Sequence, residues 1–207
     1  MKSSEESIDV SPNNPCPFLR ALVGGGRLPN DVAPLALVAD TIVEVAGAGD
    51  SSPVLPGAPI RGVAAIANGL SPLQIARNIL GGVRLDALRD GPLDKNGSGS
   101  RILSKDASVN EAELDRLDSF ASDKVSADGQ TERGLSADEL TTMMDANFER
   151  AKGQRRRVHR RMMNAEWPVL LKVMGKDGRS GRYLSVADVR HLVVQRKLPE
   201  RMSGRLR

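Results

Sequence analysis

Along most of its length the chain repeats one arrangement, a stretch with apolar residues at helical spacing closed off by glycine, proline or serine. Pro17 opens the first, Phe18 to Val23, which stops at Gly24-Gly25-Gly26. Proline is favoured at the first helical position, so Cys16 is expected at the N-cap. Helical spacing returns over 34–47 through Leu37, Val38, Ile42 and Val43. After a Pro/Gly/Ser-rich loop from Gly49 to Gly57 it returns again over about 60–68 and 71–80. Gly91 to Asp106 reads as irregular loop, 110–121 as helix, and 122–134 as polar loop. Ser136-Ala-Asp-Glu139 is a capping box and starts a helix to about Lys152. A further helix covers 155–174, and Ser185-Val-Ala-Asp188 opens the last one, which stops before Pro199. No strand and no internal repeat is evident. The expected fold class is all-α, a single-domain helical bundle with long irregular loops over 14–201. A disordered tail, 1–13, would precede it and a basic tail, 202–207, would follow.

At 207 residues, 40% of them hydrophobic, the chain is long and apolar enough to bury a core. No run of about 18 apolar residues occurs, which argues against a transmembrane helix and against a membrane as partner. Met1 to Pro12 is polar and acidic, without the basic start and apolar core of a secretory signal, so a cytoplasmic protein is expected. The single cysteine, Cys16, excludes an intramolecular disulfide. The formal charge is +4, with the excess between Arg150 and Arg161 and after Arg196. Such runs bind polyanions or simply solvate a helix face. Aromatic residues make up 2% of the chain, too few for base-stacking platforms, so no nucleic-acid partner is expected.

The residues that could carry chemistry are few. A lone cysteine is by habit a small core residue. Its place at a helix N-terminus argues for a thiolate, because free backbone N–H groups and the helix dipole stabilise the anion. Glu166 lies in the apolar run Ala165 to Leu171, where a carboxylate is either paired or sits in a pocket with a raised pKa. His159 precedes it by two turns on the same helical face. The two form either a proton shuttle or a surface pair beside the basic run. Asp94-Lys95-Asn96-Gly97-Ser98-Gly99 begins like a calcium loop, with oxygen ligands at alternate positions and glycine at the sixth. The twelfth position holds Lys105 where a glutamate belongs.

Asn14-Pro15-Cys16-Pro17-Phe18-Leu19-Arg20-Ala21-Leu22, followed by Leu28-Pro29, resembles the Pro-Cys-Pro opening of the chloroperoxidase-like haem-thiolate family, which includes the unspecific peroxygenases. Ser104-Lys105-Asp106-Ala107-Ser108-Val109 is similar to that family's acidic tripeptide block, with the aspartate and serine kept and the glutamate lost. His159 and Glu166 fill the places of the distal pair. Val169–Met174, Gly175–Gly181 and Leu184 to Leu198-Pro199 follow in the family's order. The resemblance spans roughly residues 13–201.

It implies a helical bundle around one haem b. Cys16, followed by Pro17, is the implied iron ligand, and Glu166 with His159 the implied acid–base pair. Hydrogen peroxide and a small organic substrate are the implied partners. Lys105, Asp106 and Ser108 would lie on the haem's propionate side. The magnesium ion that the family holds there is in doubt, because Ser104 supplies no carboxylate; Lys105 is expected to meet a propionate directly. A haem sensor or carrier of the same fold is the alternative. A calcium-type or polyanion-binding helical module without haem is the third reading.

Overall fold

The computed structural model describes residues 8–51, 54–94, 99–153 and 157–206. Helix α1 runs Pro17–Gly24, with Cys16 at its N-cap in extended geometry and Pro17 at the first helical position, as expected. It ends where Gly26 takes φ +70°, a conformation glycine adopts freely, so that the N–H of Arg27 bonds back to Leu22 O (2.8 Å). Strand β1 (Val32–Ala33), α2 (Leu35–Gly47), α3 (Gly57–Ala65), α4 (Pro72–Gly81) and β2 (Val83–Arg84) follow. β1 and β2 pair antiparallel, Val32 with Arg84 and Ala33 with Val83. A 3-10 turn at Leu85–Ala87 leads to the long irregular stretch expected before α5 (Glu111–Ser119).

The second half departs from an all-α protein. The expected polar loop over 122–134 is a β-hairpin, β3 (Ser122–Val125) with β4 (Thr131–Leu135), and it leads directly into α6 (Ala137–Arg150). After α7 (Arg157–Met174) comes a second hairpin, β5 (Lys176–Gly178) with β6 (Gly181–Ser185), and then α8 (Val186–Arg190). A π-helical turn, His191–Gln195, extends α8, and α9 is Glu200–Ser203. β4 and β6 pair through Gly134 with Ser185 and Leu135 with Leu184, so both hairpins join one sheet in the order β3-β4-β6-β5. The fold is therefore a single helix-dominated domain with two small antiparallel sheets.

An internal repeat lies behind this. Asp128-Gly129, Arg133, Leu135-Ser136 and Glu139-Leu140 recur at constant offset as Asp177-Gly178, Arg182, Leu184-Ser185 and Asp188-Val189. Each copy is helix, hairpin, helix. In each, the serine side chain caps the following helix by accepting the N–H of the acidic residue at its third position. Only Ser136–Glu139 closes the full reciprocal capping box. Leu135 and Leu184, both fully buried, meet across the join. Burying each is worth about 2 kcal/mol.

One hydrophobic core runs through the molecule from Val10 to Met202. Both proposed tails contribute to it: Val10 and Met202 are buried, and the N–H of Ser11 bonds to Asn30 Oδ1 (2.8 Å). Residues 1–7 lie outside the described residues. Among the described residues no helix is long and apolar enough to cross a membrane.

Candidate functional site

Cys16 is half-buried at the head of α1, and its backbone N–H is held by Asn14 Oδ1 (3.2 Å). Beneath it the chain gathers guanidinium groups. Arg20, 3% exposed, donates to the carbonyls of Ser11 (2.7 Å) and Asn14 (3.3 Å). Burial lowers its pKa, and the nearby cations of Arg196 and Arg89 lower it further. Arg89 also donates to Pro12 O (3.3 Å) and to Ser104 O (2.6 Å). The N–H groups of Leu88 and Arg89 hold Asn13 O. Arg89 thus joins the Cys16 segment to the Ser104–Ser108 segment, two stretches that the sequence separates widely.

The Ser104–Ser108 turn is satisfied from within. Ser104 Oγ and Ser108 Oγ (2.9 Å) both donate to Asp106, as does the N–H of Ser108 (3.3 Å). These bonds hold the Asp106 carboxyl at about 2. Lys105 is exposed. The loop from Asp94 falls partly on residues 95–98, outside the described residues, so the calcium-type reading there has no geometry to support it.

His159 and Glu166 share α7, as the spacing requires. His159 is buried at 5% exposure, on the same inward stripe as Met163 and Trp167, while Glu166 is half-buried. Pro168, inside the helix, has no N–H to donate and breaks the ladder one turn after Asn164. α7 packs on α6, α2 and β6, whereas α1 packs on the His191–Gln195 turn. The acid–base candidates and the thiol are thus positioned by different neighbours.

Two depressions in the described surface lie elsewhere. One, of about 320 Å³, opens between the start of α2 and the end of α4. The other is a closed slot against Arg116, Phe120, Met143 and Asn147. Neither is lined by Cys16, His159 or Glu166. Two buried donors nevertheless lack a hydrogen-bond partner beside the candidate residues: Asn14 Nδ2, near Cys16, and Trp167 Nε1, next to Glu166. A thiol at a helix N-terminus with cationic side chains nearby favours the thiolate, while the arginine donors themselves are taken by backbone carbonyls. Among the described residues no group of three or more His, Cys, Asp or Glu is placed to hold a metal ion.

The paired hairpins form a second polar centre that the sequence reading missed. Asp128 and Glu139 stand at the first and twelfth positions of a calcium-type loop, with Glu132 at the fifth. The chain's own cations answer the two glutamates. Lys124 Nζ pairs with Glu139 (2.8 Å), and Lys176 Nζ with Glu132 (2.7 Å). Tyr183 Oη (2.6 Å) and Ser185 Oγ (2.7 Å) also donate to Glu132. Burial raises the Glu132 pKa, but these three donors outweigh it and the carboxyl ends below its ordinary value. The recurring Asp-Gly and Leu-Ser-x-x-acid pairs were the signal that would have located this centre.

No family model, no curated protein and no solved structure matches the chain.

Proposed function

We propose that the chain is a haem-thiolate oxidoreductase that uses hydrogen peroxide to oxidise or oxygenate a small organic substrate. The observation that carries this reading is the setting of Cys16: half-buried, at the N-cap of α1, on a segment held by Arg20 and Arg89. A helix N-terminus among cations favours a thiolate, the donor that haem iron needs for peroxide chemistry. Arg89 also donates to Ser104 O, which links the Ser104–Ser108 turn to the Cys16 segment.

In this reading Cys16 would hold the iron, and Lys105, which is exposed, would meet a propionate. Haem, when bound, supplies the redox chemistry. Glu166 takes the proton from the near oxygen of hydrogen peroxide and returns it to the far one. His159, buried two turns earlier on the same helix, is the second member of the acid–base pair. One oxygen atom goes to the substrate and the other leaves as water, so the carboxylate ends as it began.

A haem sensor or carrier is the second reading. It is favoured by Asp106, whose Oδ1 already accepts from Ser104 and Ser108, and by Lys105, which is exposed. The first experiment is the absorption spectrum of the reduced, CO-treated protein expressed with haem supplied. A red-shifted thiolate Soret band, lost in Cys16→Ala, supports haem ligation by Cys16. Peroxide turnover that falls at least about a hundredfold in Glu166→Gln then supports the enzyme, while a thiolate band without turnover supports the carrier. Purified protein with no haem band overturns both.

A further inference from the structure

Helix α4 is turned inside out. Its inward side is polar: Gln74 Nε2 donates to Asn78 Oδ1 (3.1 Å), and the buried Asn78 donates to Ala65 O (2.8 Å). Its outward side carries Leu73, Ile79 and Leu80, at 64%, 57% and 88% exposure. A free surface helix points its apolar stripe at the core, and a reversed one marks a face that something else covers. Ile79 and Leu80 form one lip of the 320 Å³ depression, and Pro34, Leu35 and Ala36 at the start of α2 form the other. Val32, 41% exposed, continues the apolar surface past Gly82, where an added Cβ would come within 2.9 Å of its side chain.

An exposed cation stands within the apolar stripe of α4. Arg77 lies one turn from both Leu73 and Leu80, is exposed, and forms no ion pair with a described residue. Arg61, at the rim, pairs only with the exposed Asp40 (3.1 Å).

We propose that this face docks an amphipathic helix of a partner protein, which seats a large apolar side chain in the depression and presents a carboxylate to Arg77. Helix-in-groove recognition uses such apolar anchors at i, i+3 or i+4, and i+7. A second copy of this chain fits worse, because a two-fold pairing of α4 on α4 brings like cations together in an apolar contact. A bilayer fits worse as well, since a flat surface leaves the floor of the depression uncovered. This inference does not depend on haem.

The test uses the full chain and two synthetic helical peptides, identical but for glutamate or lysine at the centre of a leucine stripe, read by fluorescence anisotropy. Wild type is expected to bind the glutamate peptide about tenfold more tightly than the lysine peptide, as gaining rather than opposing one exposed charge pair allows. Arg77→Glu should reverse that order, and Leu80→Asp should remove binding of both with an unchanged melting temperature, because Leu80 is almost wholly exposed. No binding by wild type, or equal binding by Leu80→Asp, overturns the proposal. So does concentration-dependent dimerisation in sedimentation that Leu80→Asp abolishes, which would assign the face to a second copy. Binding to anionic phospholipid vesicles through Leu80 without peptide binding would assign it to a lipid surface and overturn it equally.

Discussion

Gly134 lies against the Tyr183 ring, and a Cβ there would collide with that ring and come within 3.0 Å of Lys124 Cγ. Its backbone is not among the positive-φ positions, so the constraint is space alone. Gly134→Ala is therefore expected to cost about 1–3 kcal/mol, read as a lower urea midpoint with an unchanged slope. Glu139 makes a different argument at the same scale. Burial raises its pKa, but Lys124, Ser122 and the Ser136 N–H lower it more, from 4.5 to about 2. The group binds protons more weakly when folded, so its contribution is complete above the unfolded value and is lost as pH falls from 4.5 towards about 2. Discounted for partial exposure, that is on the order of 1–2 kcal/mol. Wild type should lose roughly half of that more than Glu139→Gln between about pH 6 and about pH 3 in urea titrations, and the rest as pH approaches the folded value. Equal losses would mean that the Lys124 pair contributes nothing.

At the scale of elements, the capping serines decide where the hairpins stop and the helices start. Ser136→Ala removes a side-chain cap and should cost about 1 kcal/mol, with the amides at the start of α6 exchanging faster while those of α7 do not. Because Lys124 and Lys176 already answer Glu139 and Glu132, neither millimolar calcium nor a chelator is expected to move the melting temperature. A calcium-induced rise would show that the lysines yield to a metal. The sequence made most helices legible through period and caps: Pro17 after Cys16, the Ser136–Glu139 box and Ser185 all mark true starts. The hairpins were not legible, for a physical reason. β3 and β4 are four and five residues long, and polar residues such as Asp123, Lys124, Thr131 and Glu132 fill most of them. They are held by pairing and ionic contacts rather than by an alternating apolar face, so the period-2 signal is weak. Around the candidate site, the residues were readable one by one from the Pro-Cys-Pro block. Their arrangement was not, because it runs through Arg89 and Arg20, which no local pattern marks.

Across the whole molecule, the N-terminal helices are tied to the second hairpin unit at Asp50. Its carboxylate pairs with Arg205 (2.9 Å) and Arg201 (3.4 Å), and its carbonyl accepts from Arg182 (3.0 Å). Asp50→Ala removes the carboxylate that Arg205 and Arg201 share, leaving Arg201 with Asp188 alone and keeping the carbonyl that Arg182 uses. It is expected to lower stability by about 1–2 kcal/mol, which for a chain of this size is about 3–6 °C in melting temperature. High salt should shrink the difference by screening the surviving repulsion. The join between β4 and β6 has a further consequence. The two copies of the motif meet through Gly134–Ser185 and Leu135–Leu184, a Ser126–Gly178 bridge and the donors that Lys176, Tyr183 and Ser185 give to Glu132. Either copy therefore offers the edge that the other needs, whichever molecule it belongs to. Cleaved between α6 and α7, the chain would become a split protein whose two pieces should reassemble when mixed. Left whole and concentrated, it has a built-in route to exchange, one molecule lending its second unit to complete its neighbour's sheet.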